Sequence, residues 1–154
     1  IQNGGGFVGI HAVSSAKKQE NWFKQLIGRE FIDHPEMQTA VLNVENRTHP
    51  STMHLNEKWI WTDEWYSFGE PLTNDLHTLL SVNEKTYDPN KTWGDKDRSA
   101  AMGDFHPIAW YHEFDGGRSF YTSLGHLSES YKDSGFLNHI YGGIYWAATG
   151  VGMK

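Results

Sequence analysis

The 154-residue chain contains no cysteine, and that absence removes a disulfide framework, a Cys-based zinc site and thiol nucleophilic catalysis in one step. It leaves the compartment open between cytoplasmic and periplasmic or secreted. Basic clusters are missing too. With a formal net charge of −6 and no run of Lys or Arg, the chain has no positive face for nucleic acid or an anionic membrane surface, so its expected partners are small or neutral molecules. No apolar run approaches the length of a membrane span, no charged segment followed by an apolar one opens the chain, and no repeats or low-complexity segments occur. Aromatic residues are plentiful: seven Trp, seven Tyr and eight Phe supply much of the apolar volume for one domain with a sizeable core.

Phe7 to Ile10 reads as a short apolar strand. Lys18 to Phe31 has the spacing of a helix with Trp22, Phe23, Leu26 and Ile27 on one face and Gly28 at its end. Met37 to Asn46 alternates Ala40, Leu42 and Val44 against Val41, Asn43 and Glu45, the pattern of a half-buried strand. Irregular chain follows, with His49-Pro50-Ser51-Thr52 as a turn into a short helical turn. Leu76 to Val82 is a further strand and Asn83 to Asp104 a polar surface loop. Ile108 to Phe114 and Arg118 to Leu124 form a hairpin about Asp115-Gly116-Gly117, which makes the sheet mixed. A last helix runs from Ser134, as cap, through Thr149 to Gly150 as stop.

Two strand-like runs end in a glycine-bounded histidine: Gly9-Ile10-His11 and Leu124-Gly125-His126. In open α/β sheets ligands sit beyond the carboxyl ends of strands, so a titratable residue there faces substrate. Paired imidazoles at one cleft suit a divalent-metal site, zinc or a similar ion, or acid–base chemistry near neutral pH; structural histidines bonded to backbone are the plainer alternative. If the pair holds a metal, its ring nitrogens lie roughly 3–4 Å apart. His34 and His106 each precede proline, which keeps them extended. Either can supply a third ligand, though a proline-set turn explains His34 and His49 more cheaply. His54, His77, His112 and His139 read as surface or satisfied core residues.

Asp63-Glu64-Trp65-Tyr66 sets two carboxylates beside two aromatics. Neighbours on a strand face opposite ways, so one of the two reaches a cleft as base or ligand, with Tyr66 as a hydrogen-bonding acid. Arg118 can clamp a ligand or pair with Asp115 on the surface. Trp61, Trp65, Trp93 and Trp110 can be sugar-stacking platforms, although core packing accounts for most of them. Gly4, Gly6 and Gly9 match GxGxxG by accident: they precede and enter a strand, whereas a dinucleotide fingerprint follows one and opens a helix. No nucleotide cofactor is expected.

Taken in order, Gly4-Gly5-Gly6-Phe7-Val8-Gly9-Ile10-His11, Phe31 to Pro35, Thr48-His49-Pro50, Asp63 to Tyr66, His106-Pro107-Ile108-Ala109-Trp110, Gly117-Arg118, Tyr121-Thr122, Leu124-Gly125-His126 and Trp146-Ala147 resemble the ThuA-like (trehalose-utilisation) family over nearly the whole chain. The resemblance implies an α/β fold, flavodoxin-like or class I glutamine amidotransferase-like, with a mixed sheet flanked by helices. Family members resemble one another in elements upstream of this point, so residues 1–154 are read as the C-terminal portion of a ThuA-like domain. In the related amidotransferases a Gly-Ile-Cys run carries the nucleophile and a later His its base. His11 and His126 stand at those positions here, and without a thiol glutamine hydrolysis through a thioester is excluded.

The implied substrate is a sugar or sugar derivative in carbohydrate catabolism, and a homo-oligomer is compatible with it. The expected cleft holds His11, Glu64 and His126 as catalytic groups, with His11 and His126 on a metal. Asp63, Tyr66, His106, Trp110, Arg118 and Tyr121 are the expected substrate contacts. The reaction is hydrolysis, isomerisation or epimerisation of a glycoside or keto-sugar. The rivals are a non-catalytic carbohydrate- or partner-binding module and an amidotransferase-like scaffold that has lost its thiol.

Overall fold

A computed structural model describes residues 1–16, 20–91 and 99–152 of the chain. Strand β1 (Gly6–Ile10) leads into a 3-10 turn at His11–Ser15 and helix α1 (Asn21–Ile27). β2 (Phe31–Asp33), β3 (Gln38–Val44), β4 (Lys58–Asp63), β5 (Ser67–Phe68) and β6 (His77–Val82) follow. The hairpin β7 (Pro107–Phe114) and β8 (Gly117–Thr122) precedes helix α2 (Ser134–Thr149). Six strands form one sheet in the order β1-β8-β7-β6-β3-β4, while β2 and β5 pair as a small antiparallel ribbon. Among the described residues, only β1 and β8 pair in parallel, and every other pair in the large sheet is antiparallel.

The hairpin turns where expected, with Asp115 at φ 49° and Gly116 at φ 78°, the two positive values of a type I′ turn that matches strand twist. Three expectations need correction. α1 stops at Ile27 because Gly28 takes φ 103° and returns its N–H to the Lys24 carbonyl; Phe31 therefore belongs to β2, and the expected start at Lys18 lies outside the described residues. β4 and β5 replace chain read as irregular. Asp133, not Ser134, caps α2 by accepting the Phe136 N–H at 2.9 Å.

Adjacent residues of the central strands bury into opposite layers. Ala109 and Phe120 join a cluster with Phe136, Trp146 and Ala147 of α2, whereas Trp110 and Tyr121 join Ile27, Tyr66 and Phe68 on the other face. β4 is the edge farthest from β1, yet Trp61 stacks on Phe136 and Trp59 lies against His139, both on α2. The sheet therefore curls around the α2 side of the core. Pairing directions make β1, β8, β6 and β4 run the same way, so the curl brings the carboxyl end of β4 to those of β1 and β8.

Candidate active site

His11 is the first residue beyond β1 and holds φ 48°, a left-handed conformation that costs a non-glycine residue energy and persists only where the surroundings impose it. Tyr121 imposes it: its hydroxyl donates to the His11 carbonyl at 2.9 Å and also meets Ser14 Oγ at 2.7 Å. Gly9 makes room, since a Cβ there would lie 2.9 Å from Val13 and 3.0 Å from the Tyr121 ring. His11 Nδ1 donates to the Ser123 carbonyl at 2.8 Å. That bond selects the tautomer and leaves the Nε2 lone pair for the cleft.

Beyond β8 the chain turns at Gly125, φ 110°, and the same buried carboxylate holds both this turn and the end of β4. Asp63 accepts the N–H groups of Gly125 at 2.8 Å, His126 at 3.2 Å and Glu64 at 3.0 Å, plus the Trp61 indole at 3.1 Å. With Asp63 turned inward, Glu64 turns out. Its Oε2 lies 3.4 Å from His11 Nε2 and 3.3 Å from His126 Nδ1, and the two imidazole nitrogens are 3.3 Å apart. The Tyr66 hydroxyl sits 3.1 Å from His11 Nε2.

These neighbours shift one another. Burial pulls the His11 pKa down, but its hydrogen bonds to the Glu64 carboxylate and the Ser123 carbonyl and the charges of Asp63 and Glu64 outweigh burial and raise it above 6.5. Burial works the other way on Glu64, where His11, His34 and His126 hold the carboxyl below its ordinary range. Tyr66 is pushed up to about 12 by burial and by Glu64 and Asp63, with Ser15 opposing, so it stays protonated and able to donate.

Of the expected substrate contacts, only Tyr66 faces this centre. Asp63 is wholly buried and its oxygens are taken by four N–H groups. His106, also fully buried, spends its nitrogens on Glu84 Oε1 at 2.7 Å and the Tyr66 carbonyl at 2.8 Å, positioning Tyr66 from behind. Trp110 is core, its indole donating to the Ile27 carbonyl at 2.7 Å, and Tyr121 supports His11 from within. Arg118 lies among the first, turn-proximal residues of β8, at the opposite end from His126, and binds the Ala147, Ala148 and Gly4 carbonyls, where a cation suits a helix C-terminus. Among the tryptophans, Trp61 and Trp65 pack into the core and Trp93 lies outside the described residues. His34, read as either a third ligand or a proline-set turn residue, places Nε2 3.9 Å from Glu64 Oε2 and stacks on Tyr66. Its pairing with proline was the available signal.

The family model described as "ThuA: Trehalose utilisation" matches residues 1–147. The chain belongs to the ThuA family. No curated protein matches it. Solved structures of ThuA-like proteins resemble this ThuA domain. One, of a ThuA-like protein from Parabacteroides merdae, superposes with a TM-score of 0.75 at 21% identity over 100% of this chain. Another, of a ThuA-like protein from Bacteroides uniformis, gives 0.69 at 29% identity over 94%. The ThuA domain described here spans 64% and 58% of those two chains. Their shared fold is a mixed α/β architecture, as the sequence resemblance implied.

Chemically, the ThuA centre presents two imidazole nitrogens and a carboxylate oxygen around one point. Their lone pairs are reconciled by shared protons or by a cation. Donors bonded at about 2.0–2.1 Å in a tetrahedral arrangement are separated by about 3.3–3.4 Å, and the three edges here are 3.3, 3.3 and 3.4 Å. A two-His, one-carboxylate set leaving a coordination position open is the pattern of hydrolytic zinc sites.

Proposed function

We propose that this ThuA domain is a carbohydrate-active enzyme in which His11, His126 and Glu64 hold a divalent cation, zinc or similar, and in which a glycoside or keto-sugar is hydrolysed or isomerised. The triangle of donor atoms, each edge fitting a tetrahedral ion, is the observation that carries this reading. When bound, such an ion polarises a sugar carbonyl or lowers the pKa of a water.

The remaining chemistry falls to the chain. Tyr66, protonated up to about pH 12 and 3.1 Å from His11 Nε2, donates a hydrogen bond or a proton to a developing alkoxide. Glu64 presents one oxygen to the imidazoles and keeps a second for a substrate proton. The Ser123 carbonyl holds His11 in its ligating tautomer, while Asp63 fixes the backbone of Glu64 and His126 together. Sugar as the substrate class rests on family membership.

The test is a zinc titration against a competing chelator, with turnover of keto-sugars and disaccharides followed on the same protein. Wild type is expected to bind one equivalent, and His126→Ala to lose at least about 100-fold in affinity together with activity. Unchanged affinity in His126→Ala would overturn the metal reading. Binding of ion and sugar without turnover of any sugar would leave a carbohydrate-binding module in place of an enzyme.

A further inference from the structure

Tyr66 leads into β5, which has two residues, Ser67 and Phe68, and pairs on one side with β2. Toward β2 the Gly69 N–H donates to the Glu30 carbonyl at 2.9 Å. The Tyr66 carbonyl and the Phe68 N–H alternate with it and turn to the other edge, where no strand lies among the described residues. Both residues are buried, so these backbone groups need partners, and side chains stand in for the missing strand. His106 Nε2 donates to the Tyr66 carbonyl at 2.8 Å, and Met102 Sδ accepts the Phe68 N–H at 3.3 Å.

One carboxylate holds both of those side chains. Glu84 begins the 3-10 turn Glu84–Thr86 after β6, capped by Asn83, whose side chain accepts the Lys85 N–H at 3.0 Å. His106 stands just before β7, and the Val82 N–H of β6 donates to its carbonyl at 2.9 Å, which brings Glu84 and His106 together. Glu84 Oε1 accepts from His106 Nδ1 at 2.7 Å and from the Met102 N–H at 2.5 Å, while Oε2 accepts the Gly103 N–H at 3.1 Å. The imidazole thus donates at both nitrogens, with its ring wholly buried and Glu84 13% exposed. A charge-assisted bond in a layer closed to solvent is short and directional.

We propose that Glu84 is a positioning residue for Tyr66, acting through His106 and Met102 on the segment that carries the phenol into the centre. The proposal rests on the reading of Tyr66 as the donor to the reacting oxygen. The Tyr66 hydroxyl lies 3.1 Å from His11 Nε2, and a misplacement of about 1 Å at a reacting group can cost about 100-fold in rate.

Three variants of the full chain test this. Glu84→Gln keeps the shape and puts an N–H2 among three donors, so one bond is lost whichever way the amide turns. His106→Gln keeps an N–H for the Tyr66 carbonyl, and His106→Leu, of similar bulk, removes it. Crystal structures would give the separation of Tyr66 Oη from His11 Nε2, and steady-state kinetics would use a sugar that wild type turns over. The separation is expected to stay within hydrogen-bond reach in wild type and His106→Gln and to open beyond about 3.5 Å in Glu84→Gln and His106→Leu. In the latter two kcat should fall at least about tenfold with KM unchanged, and His106→Gln should recover most of that loss. General destabilisation, followed by urea unfolding, does not separate Gln from Leu at position 106 in this way. Tyr66 found in its wild-type place in both Glu84→Gln and His106→Leu overturns the proposal, as does an equal displacement in His106→Gln and His106→Leu. Should Glu84→Gln fail to fold, the two His106 variants decide. No turnover of any sugar by wild type, with Tyr66 displaced as expected, sinks the reading of Tyr66 as a donor in sugar chemistry and upholds Glu84 as the residue that places it.

Discussion

Asp63 does more for the site than its burial suggests. One carboxylate accepts four N–H groups, three of them backbone donors from residues 64, 125 and 126, and so ties together the two segments that carry Glu64 and His126. Asp63→Asn retains shape but turns an amide N–H2 toward donors, so at least one of the four bonds becomes a repulsion. Groups that orient ligands from behind typically account for about 10–100-fold in ion affinity, and if the proposed cation binds, a loss of that size is expected in Asp63→Asn, read by chelator competition with a melting curve alongside. Zinc affinity equal to wild type in a folded Asp63→Asn protein would show that the positioning comes from elsewhere.

At the level of elements, α2 and β4 form a pair whose contributions separate cleanly. The Asp133 carboxylate closes the first turn of α2 on the Phe136 N–H, and Phe136 is the ring on which Trp61 of β4 stacks at 5.7 Å. Removing that cap with Asp133→Ala is expected to cost about 1 kcal/mol, measured by urea unfolding. On the opposite face of β4, Ile60 is 70% exposed, so Ile60→Lys should change stability by no more than about 0.5 kcal/mol. Comparable losses from the two variants would mean that the outer face of β4 is covered by something that buries it.

For the whole molecule the acid limit of stability lies in the core rather than in the cleft. His139 is fully buried, its Nδ1 donating to the Ser51 carbonyl at 2.9 Å and its Nε2 accepting from Thr122 Oγ1 at 3.1 Å. Burial pulls its pKa from 6.5 to about 4, against the Ser51 bond, and burial together with the nearby His139 pulls His49 to about 3. Both native values are depressed, so in the window between them and 6.5 the unfolded chain binds protons that the native chain does not. Their contribution to stability is complete above about pH 6.5 and drains away as pH falls toward 4 and then 3. At about 1.4 kcal/mol per unit, the His139 shift alone corresponds to on the order of 3 kcal/mol. Urea unfolding from pH 7 to pH 4 should show this fall, with His139→Asn binding about one proton fewer on unfolding near pH 5. An unchanged slope in that variant would exclude His139 as its source.

The strand ends carrying His11 and His126, the hairpin about Asp115 and the absence of thiol chemistry follow from the sequence alone, because periodicity, turn chemistry and residue type are local properties. So does the opposed facing of Asp63 and Glu64, although not which of them turns inward. The partners of the site are another matter: Asp63 meets Gly125 across 62 positions and His11 meets His126 across 115. Those meetings depend on how far the sheet curls around α2, which no local pattern records. The same curl decided that His34 stands beside Glu64, while Trp110 and Tyr121 lie buried in the opposite layer and Arg118 caps the far end of α2. Side chains chosen by residue type for a cleft were spent on supporting it, because burial is set by the packing of distant elements.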